Sequence, residues 1–558
     1  MSNAHSAWHR LPTLPLALLL LVLVGIIAPR SAGQTAVAEE IPSYIVQGAD
    51  LQTLADAVTA AGGTVTHELG IINAVAAQLT VDQRNAVAGT LPALQITADR
   101  PLATAGAPAA SFPEIIGANE LHEQGLDGRG VTVAVLDTGV EPHGPTWGSL
   151  VETTDRDVRI DAAYDARQGR EVGLSGLGDL HGHGTHVTSI IASSDVGRDG
   201  HYNSAAPAAN LVPVVAFDAQ GQGSYADVIR GLDWIVTHRE EHNIRVLNLS
   251  FSAPPQSYYW EDPLNQAVMR AWEAGIVVVA AAGNGGPEAM SIGVPGNVPY
   301  VITVGAMSDN YTPGDGSDDI LASFSAAGPT VEGFVKPDVV APGGHLLGIM
   351  TTATTISNEH PEFREQGNYF VMSGTSQAAA VTSGVVALML QKDPTLTPDD
   401  VKCRLMASAR MAHHDNGELA YSLFQQGAGA INAYDAVYST AAGCANVGLD
   451  VSKDLAGDEH YGGPAGQDAD GNYTLVDLDG YIWSGGYIWS GNYIWSGNYI
   501  WSGGYIWSGN YIWSGNYIWS GGYIWSGSYI WSGNTLWSDN YIWSGSEAAA
   551  VNEWIEQE

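Results

Sequence analysis

Between residues 113 and 442 the sequence alternates short, apolar, β-branched runs with longer stretches of helical periodicity. The clearest strand-like runs are VTVAVLD, NLVPVVAF, RVLNLS, GIVVVAAAG and YVITVGA. The helical stretches between them include YADVIRGLDWIVTHRE, DPLNQAVMRAWEAG and SQAAAVTSGVVALMLQ. Strands that alternate with helices form mostly parallel sheets whose faces the helices cover. The pattern therefore predicts an α/β domain, 113–442, with a mostly parallel sheet flanked by helices.

The segment before this domain is organised differently. From Tyr44 to Leu102 the periodicity predicts strand, helix, strand, strand, helix, strand, which is a small α+β module of ferredoxin-like order. Residues 103–112, ATAGAPAASF, are rich in Ala, Gly, Ser and Pro, and this composition predicts an exposed linker open to proteolysis. The module and its linker together occupy 39–112.

Residues 1–38 have the features of a secretory signal peptide. Basic side chains up to Arg10 precede an apolar run at 14–27, and small residues end at Ala38, after which we expect cleavage. An uncleaved membrane anchor is the alternative. That run, however, is interrupted by Pro15 and is shorter than the roughly 20 residues of a spanning helix. We therefore expect a secreted protein, extracellular or at the cell surface.

A hexapeptide with the consensus Tyr-Ile-Trp-Ser-Gly-Asn/Gly repeats without a gap over 481–546. Tyr, Trp and Gly fall on one parity and Ile, Ser and Asn on the other, so each unit predicts a short strand ending in a Gly turn. The short period predicts a β-repeat array of solenoid type. Its rings either fill the array's own core or form a face for polysaccharide or a cell surface. An acidic, Gly-rich connector, 443–480, precedes the array, and an acidic tail, 547–558, follows it.

Composition limits the partners of the chain. Acidic residues number 59 against 21 basic ones, and a net charge of −38 repels phosphate backbones and anionic lipid surfaces. We therefore exclude nucleic acid as a partner. Cys403 and Cys444 are the only cysteines. They can form one disulfide in an oxidising compartment or stay as buried thiols, and their spacing does not decide between the two.

Two candidate catalytic residues lie at predicted element boundaries. Asp137 ends the run VTVAVLD, and a carboxylate at the carboxyl end of a parallel strand lies where α/β proteins place their sites. Such a carboxylate can hold one imidazole nitrogen. His183, in HGHGTHV, stands between glycines where a helix begins and is our candidate for a general base. His181 and His186 lie in the same stretch, and any single His is more often structural than catalytic.

Two further residues complete a set. Ser376, in SGTSQAAAV, opens an apolar helix whose N-terminal amides favour developing negative charge. Asn284, in AAAGN, follows an apolar run, and its side-chain amide can supply a second donor, although Asn before Gly is also an ordinary turn residue. A nucleophile, a base, an orienting acid and oxyanion donors are what acyl transfer requires.

The segments AVLDTGV, HGHGTHV, AAAGN and SGTSQAAAV resemble the four signature segments of the subtilisin-like serine proteases, or subtilases. Their chain order, Asp then His then Ser, is that of subtilisin and differs from those of chymotrypsin and the α/β-hydrolases. The resemblance implies a subtilisin-like fold and peptide-bond hydrolysis without a cofactor. Asp137 would orient the base, His183 would act as base and then acid, Ser376 as nucleophile, and Asn284 as oxyanion donor.

The resemblance also implies a substrate groove and a zymogen. An extended protein or peptide substrate would pair with backbone around Gly221, Gly223, Ser250, Phe251 and Ser252, with Phe251 beside the specificity pocket. The module before the catalytic domain resembles the family's inhibitory propeptide. It would be a partner of the groove until the chain cuts itself between about Leu102 and Pro113.

Calcium ions are frequent in the family. Carboxylates that lie in Gly-rich stretches, where they could converge on such a structural ion, are Asp195, Asp199, Asp315, Asp318 and Asp319. No stretch matches an EF-hand loop, so the metal ligands stay unassigned.

One position departs from the family's pattern. Members usually have Pro where this chain has Ala380, four residues after Ser376. The change alters how closely the helix backbone crowds the nucleophile and with it the division of an acyl-enzyme between water and amines. The leading hypothesis is a secreted, self-maturing endopeptidase. The alternatives are a surface-attached binding protein whose repeat array is the main functional part, and a transpeptidase.

Overall fold

The computed structural model describes residues 42–90, 94–98, 108–314, 316–414, 416–468, 471–475 and 549–551. The chain divides into two compact units, Met1–Ala103 and Thr104–Glu558. The predicted signal peptide at 1–38 and the repeat array at 481–546 lie outside the described residues and stay predictions.

The N-terminal unit is a four-stranded antiparallel sheet with two helices. Its elements are β1 (Ser43–Gln47), α1 (Leu51–Ala60), β2 (Thr64–Leu69), β3 (Ala74–Gln78), α2 (Val81–Thr90) and β4 (Gln95–Ala98). The strand order is β2-β3-β1-β4, and every neighbouring pair is antiparallel. Val46, Leu54, Val58, Val75 and Leu79 form its core between helices and sheet.

The second unit contains the remaining elements. Its strands are β5 (Thr132–Asp137), β6 (Tyr164–Asp165), β7 (Arg170–Glu171), β8 (Asn210–Val215), β9 (Gln222–Gly223), β10 (Ile244–Leu249), β11 (Phe251–Ser252), β12 (Val277–Ala281), β13 (Ile302–Ser308), β14 (Ile320–Leu321), β15 (Val339–Pro342), β16 (Leu346–Ile349), β17 (Tyr369–Met372), β18 (Ala465–Gln467), β19 (Tyr473–Leu475) and β20 (Ala549–Val551). Its helices are α3 (Phe112–Ile115), α4 (Ala118–Glu123), α5 (His183–Ile191), α6 (Tyr225–His238), α7 (Pro263–Glu273), α8 (Thr355–Glu359), α9 (Thr375–Lys392), α10 (Pro398–Ser408), α11 (Leu423–Gln426), α12 (Ala433–Tyr438) and α13 (Val451–Ala456).

A nine-stranded sheet forms the centre of this unit. Its order is β14-β13-β12-β10-β5-β8-β6-β7, with β15 also beside β13. Neighbouring strands are parallel except for the pairs β13–β14 and β6–β7. Every residue of β5, β12 and β13 is buried, as expected for strands that helices cover on both faces. The predicted mostly parallel α/β fold is confirmed.

Helix α9 is buried on all sides. Every residue from Thr375 to Leu390 is buried, which agrees with an apolar helix that lacks a polar face. Its close packing depends on Gly384, because a Cβ at that position would lie 2.4 Å from the Cβ of Ala205. The helix that carries the candidate nucleophile is therefore fixed by its surroundings along most of its length.

The predicted linker is partly packed. Asn203 accepts a hydrogen bond from the backbone N–H of Ala110 at 2.9 Å and donates from its side-chain amide to the carbonyl oxygen of Pro108 at 2.8 Å. Phe112 is buried at the start of α3. The expectation of an exposed linker was therefore wrong for residues 108–112, because Asn203 satisfies its backbone and Phe112 is apolar.

The acidic, Gly-rich connector predicted at 443–480 contains ordered elements, namely α13 and the β18–β19 hairpin. Asp454 of α13 accepts hydrogen bonds from the hydroxyls of Tyr259 at 2.5 Å and Tyr300 at 2.9 Å, and it pairs with His460 at 2.8 Å. Composition alone suggested a loop, since Asp and Gly are common in loops. The buried hydroxyl donors that hold this Asp lie far away in the sequence.

Cys403 of α10 and Cys444 form a disulfide, with a Cα–Cα distance of 5.1 Å. The sequence had left this pairing open. Among the residues that the structure describes, no helix is long and apolar enough to cross a membrane.

The last described residues, Ala549–Val551, form β20. This strand lies between β11 and β9 in a separate three-stranded sheet, and it is antiparallel to both neighbours. The sequence had predicted only an acidic tail here.

Candidate active site

Three candidate residues lie at or shortly after the carboxyl ends of neighbouring parallel strands of the central sheet. Asp137 is the last residue of β5, Ser250 follows β10, and Asn284 comes soon after β12. These strands are adjacent and parallel, so their carboxyl ends meet. After β5, the chain forms β8 on one side of β5 and later forms β10 on the other side of β5. The end of β5 is therefore the switch point at which α/β sheets open a crevice.

Asp137 and His183 form a buried pair. Nδ1 of His183 lies 2.7 Å from Oδ1 of Asp137, and each side chain is 1% exposed. Because a carboxylate only accepts hydrogen bonds, it holds the tautomer with the proton on Nδ1 and leaves Nε2 as an acceptor. Nε2 is buried and has no hydrogen-bond partner within the described part of the chain. The pair is arranged to receive a proton at Nε2.

Asp179, which was not among the residues predicted from the sequence, organises the turn that begins α5. Its Oδ1 accepts hydrogen bonds from the backbone N–H groups of His181 at 3.1 Å and Gly182 at 2.8 Å and from Oγ1 of Thr138 at 2.9 Å. Its Oδ2 accepts from the backbone of Thr185 at 2.8 Å and from its hydroxyl at 2.7 Å. An acid shortly before a helix start with a Thr inside the first turn is the signal that could have found it.

Glycines let the start of α5 lie directly on the chain after β5. A Cβ on Gly184 would lie 2.3 Å from the carbonyl oxygen of Gly139, and one on Gly139 would lie 2.3 Å from that of Gly178. Real side chains do not reach such distances. This close backbone approach places His183 within reach of Asp137.

The structure separates the three histidines of HGHGTH. His186 is fully buried, its Nε2 lies 3.1 Å from the carbonyl oxygen of Phe370, and burial lowers its pKa to about 3. It is therefore neutral and occupied by a structural hydrogen bond. Burial and the neighbouring His183 lower the pKa of His181, whose ring centre lies 6.3 Å from that of His183. Only His183 is paired with Asp137.

Ser376 is the second residue of α9 and is buried. Its Oγ donates to the carbonyl oxygen of Ser250 at 3.0 Å, and the Oγ of Ser250 donates to the carbonyl oxygen of Ser376 at 2.9 Å. Asn248 supports this exchange by donating to Oγ of Ser250 at 2.9 Å. The helix N-terminus at this point favours negative charge.

The side chain of Asn284 has a fixed orientation. Its Oδ1 accepts from the backbone N–H of Thr375 at 3.0 Å and from the hydroxyl of Thr375 at 2.9 Å. Its Nδ2 lies close to Gly374, since a Cβ built there would be 3.3 Å away. The amide nitrogen of Asn284 is thus held close to Gly374, which lies two residues before Ser376 in the chain.

The five predicted groove residues lie on or beside two short strands. Gly221 directly precedes β9, which contains Gly223. Ser250 directly precedes β11, which consists of Phe251 and Ser252. Phe251 is fully buried, and its ring packs 5.1 Å from that of Phe217. The two strands do not pair with each other, because β20 lies between them.

A structural calcium ion stays a prediction, and the candidate ligands that the structure describes have other hydrogen-bond partners. Asp195 accepts hydrogen bonds from the hydroxyls of Ser149 and Tyr369, both at 2.6 Å. Asp318 accepts from Asn310 at 3.3 Å and Thr312 at 2.7 Å. Among the described residues, no three His, Cys, Asp or Glu side chains come together as metal ligands would. Asp315 lies outside those residues.

A buried Asp–His pair, a serine at a helix N-terminus and a fixed Asn amide at the edge of a parallel sheet are the groups that a hydrolase of the serine-nucleophile class requires. Residues 128–429 match the model of the Subtilase family, which is more than half of the chain. The protein belongs to this family and is a subtilisin-like serine protease.

Two curated relatives of this chain are proteases of the same family. The chain is 40% identical over 319 residues to serine protease AprX of Bacillus subtilis (strain 168), covering 56% of this chain and 67% of that protein. It is 33% identical over 298 residues to subtilisin E of the same strain, covering 53% of this chain and 64% of that protein. The matches thus span about two thirds of each relative. Fervidolysin from Fervidobacterium pennivorans, a keratinolytic enzyme related to subtilisin, aligns with a TM-score of 0.45 at 24% identity, covering 72% of this chain and 61% of its own.

Proposed function

We propose that this chain is a secreted serine endopeptidase that hydrolyses peptide bonds in proteins and peptides through Asp137, His183 and Ser376. The observation that carries the proposal is the buried 2.7 Å contact between Asp137 and His183 at the sheet edge where helix α9 presents Ser376. Membership of the subtilase family supports it.

The proposed reaction assigns one role to each group. The hydroxyl of Ser376 turns its hydrogen from Ser250 to Nε2 of His183, and Oγ attacks the scissile carbonyl carbon. Asp137 stabilises the imidazolium that results. Nδ2 of Asn284 and the backbone N–H of Ser376 donate to the oxyanion. His183 then protonates the leaving amine, and water, activated by the same imidazole, hydrolyses the acyl-enzyme and releases the second product.

Ala380 affects the helix beneath the nucleophile. In an α-helix its N–H donates to the carbonyl oxygen of Ser376, four residues earlier, which also accepts from Ser250. A Pro at this position removes that donor. We propose hydrolysis as the fate of the acyl-enzyme. Mass spectrometry of products formed with an added peptide amine tests it, because aminolysis products in excess would indicate transpeptidation instead.

We also propose export and self-maturation. The Cys403–Cys444 disulfide supports an oxidising compartment, and the unit boundary at Ala103 and Thr104 supports a separable propeptide at 39–102. Because residues 108–112 belong to the second unit and Asn203 binds Pro108 and Ala110, we place the cut between Leu102 and Pro108 rather than up to Pro113.

The decisive experiment replaces the nucleophile. Ser376→Ala should lower kcat for a peptide substrate at least about 10⁴-fold, because the covalent route is lost. It should also leave residues 39–102 attached, as intact mass spectrometry would show. Ser408→Ala, a partly buried serine of α10 outside the site, is the matched control and should leave both readouts unchanged. Activity or processing that persists in Ser376→Ala without added protease would overturn the assignment.

A further inference from the structure

Strand β20 occupies the space between the two strands of the proposed substrate groove. Val551 is paired with Phe251, and Ala550 is paired with Ser252 on one side. On the other side Ala550 is paired with Gln222, and Ala549 with Gly223. A segment of this chain is therefore the central strand of a sheet in which β9 and β11 are the edges.

The direction of β20 is that of a substrate. Because the pairing with β11 is antiparallel, the chain runs from Ser252 past Phe251 and continues towards Ser250. The carbonyl oxygen of Ser250 accepts the hydrogen bond from Oγ of Ser376 at 3.0 Å. The carboxyl side of β20 thus points towards the nucleophile. A peptide whose carbonyl is to be attacked must enter with this polarity, with its residues before the cut in the groove.

The sequence of the tail agrees with the chemistry of the groove. Residues 548–552, Ala-Ala-Ala-Val-Asn, are uncharged, whereas Glu547 and Glu553 flank them and two more Glu follow. The residues that pair with β20 are also uncharged. In this strongly acidic chain, the three residues that pair with the groove strands, Ala549–Val551, thus come from the uncharged stretch of the tail.

We propose that the C-terminal tail, through Ala549–Val551, is an intramolecular peptide ligand of the substrate groove. It adds a strand to β9 and β11 and so excludes other peptides while it is bound, including the end of the propeptide that the resemblance to subtilases implies there. The proposal rests on the proposed function of this groove. It also assigns the groove a ligand chemistry, an extended segment with small apolar side chains.

The first test is a disulfide across the predicted register. In the full-length Ser376→Ala protein, which cannot cut its tail, Ser252→Cys combined with Ala550→Cys should form a disulfide, because directly opposed residues of antiparallel strands lie within bridging distance. Ser252→Cys with Val551→Cys is the matched control, because this pair is one residue out of register and successive residues of a strand face opposite sides of a sheet. Peptide mapping without reduction should find the bridge only in the first protein. Equal or absent bridging would overturn the proposal.

The second test measures competition. A dye-labelled peptide with the tail's own sequence, Glu-Ala-Ala-Ala-Val-Asn-Glu, is titrated into Ser376→Ala with and without Ala550→Pro, in each case after an added protease has cut the linker and residues 39–102 have been removed. Proline removes a backbone donor and is excluded from a central strand, so the tail should leave the groove. If the tail occupies the groove nine-tenths of the time, the apparent Kd of the labelled peptide should be about tenfold lower for the protein with Ala550→Pro. Ser546→Pro, outside the paired residues, should leave it unchanged. Equal Kd values for all three proteins would overturn the proposal.

These tests distinguish two failures. Neither uses the reaction, so bridging and competition can be found even in a protein that proves inactive. Hydrolysis that depends on Ser376, together with absent bridging and unchanged Kd, would refute the tail alone.

Discussion

Asp179 connects the Asp–His pair to the rest of the fold. It is buried and accepts five hydrogen bonds, two of which come from the side chains of Thr138 and Thr185 and three from the backbone around His183. Charged acceptors with several donors are among the stronger contacts in proteins. Asp179 does not touch a substrate, so we regard it as a positioning residue that fixes the imidazole through the turn before α5.

We predict that Asp179→Ala lowers kcat about 100-fold with KM nearly unchanged, because a small displacement of the base costs rate rather than binding. Asp179→Asn, which keeps an acceptor oxygen, should recover part of this loss. Steady-state kinetics on one peptide substrate would measure both values. Asp161→Asn, whose side chain is 77% exposed, is the control and should change neither constant. A purely structural role would instead lower the fraction of active enzyme equally for both Asp179 variants.

At the scale of elements, the packing of α9 on its neighbours depends on a missing methyl group. Ala is the better helix former by about 1 kcal/mol, which alone would make Gly384→Ala stabilising. The new Cβ would lie 2.4 Å from that of Ala205, however, and overpacking of a core typically costs 1–3 kcal/mol. The clash should prevail, because both partners are buried.

We therefore predict a net loss of about 1–2 kcal/mol in the free energy of unfolding for Gly384→Ala. Urea denaturation in the Ser376→Ala background, which avoids autolysis, would measure it. Ala205→Gly removes the opposing methyl group, and combining it with Gly384→Ala should restore most of the loss, with a coupling energy seen in a double-mutant cycle. Additive effects of the two substitutions would contradict this account of the contact.

The contact between α13 and the catalytic unit should make stability depend on pH. Glu332 is fully buried, and burial raises its pKa to about 7, although it accepts a hydrogen bond from the backbone N–H of Tyr259 at 2.7 Å. The nearby charge of Asp454 contributes to this raised pKa. Since the unfolded pKa is lower, the folded state holds a proton that the unfolded state has lost between these two values, so stability falls as pH rises through this window.

We predict that the protein loses up to about 3 kcal/mol more stability between pH 4.5 and 7 than Glu332→Gln does, because Gln has no proton to lose. Denaturation curves at several pH values, again with Ser376→Ala, would give the difference. Glu362→Gln, with a side chain 59% exposed, should follow the unsubstituted protein. Parallel curves for Glu332→Gln and the unsubstituted protein would show that this carboxyl does not titrate in the window.

How much the sequence could predict varies with the distance between interacting residues. Asp137 and Ser376 could be proposed as site residues because each stands at the end of a local pattern, a strand or an apolar helix. Asp179 escaped notice because its partners are mostly backbone groups, which become donors only when the turn before α5 forms. Asp454 was assigned to a loop because its tyrosine partners lie more than 150 residues away.

At the scale of the whole molecule, the strand Ala549–Val551 shows the same limit. Three residues carry no periodic signal, and their partners are at 222–223 and 251–252. Only the tertiary fold brings these backbones together. The resemblance implies a groove at these residues, but nothing in the sequence predicts that β20 lies between them.

The net charge of −38 bears on whether the tail binds its own groove or that of another copy. Like-charged molecules repel one another, whereas a tail on the same chain is present at an effective concentration of order mM. At μM protein the intramolecular contact should prevail by about 1000-fold.

We predict that a mixture of two Ser376→Ala proteins, one with Ser252→Cys and the other with Ala550→Cys, forms almost no crosslinked dimer, while the doubly substituted chain forms an internal bridge. A non-reducing gel over a tenfold range of protein concentration would separate the two. Dimer that increases with concentration would mean that the tail of one molecule inhibits another, because an intramolecular bridge does not depend on concentration.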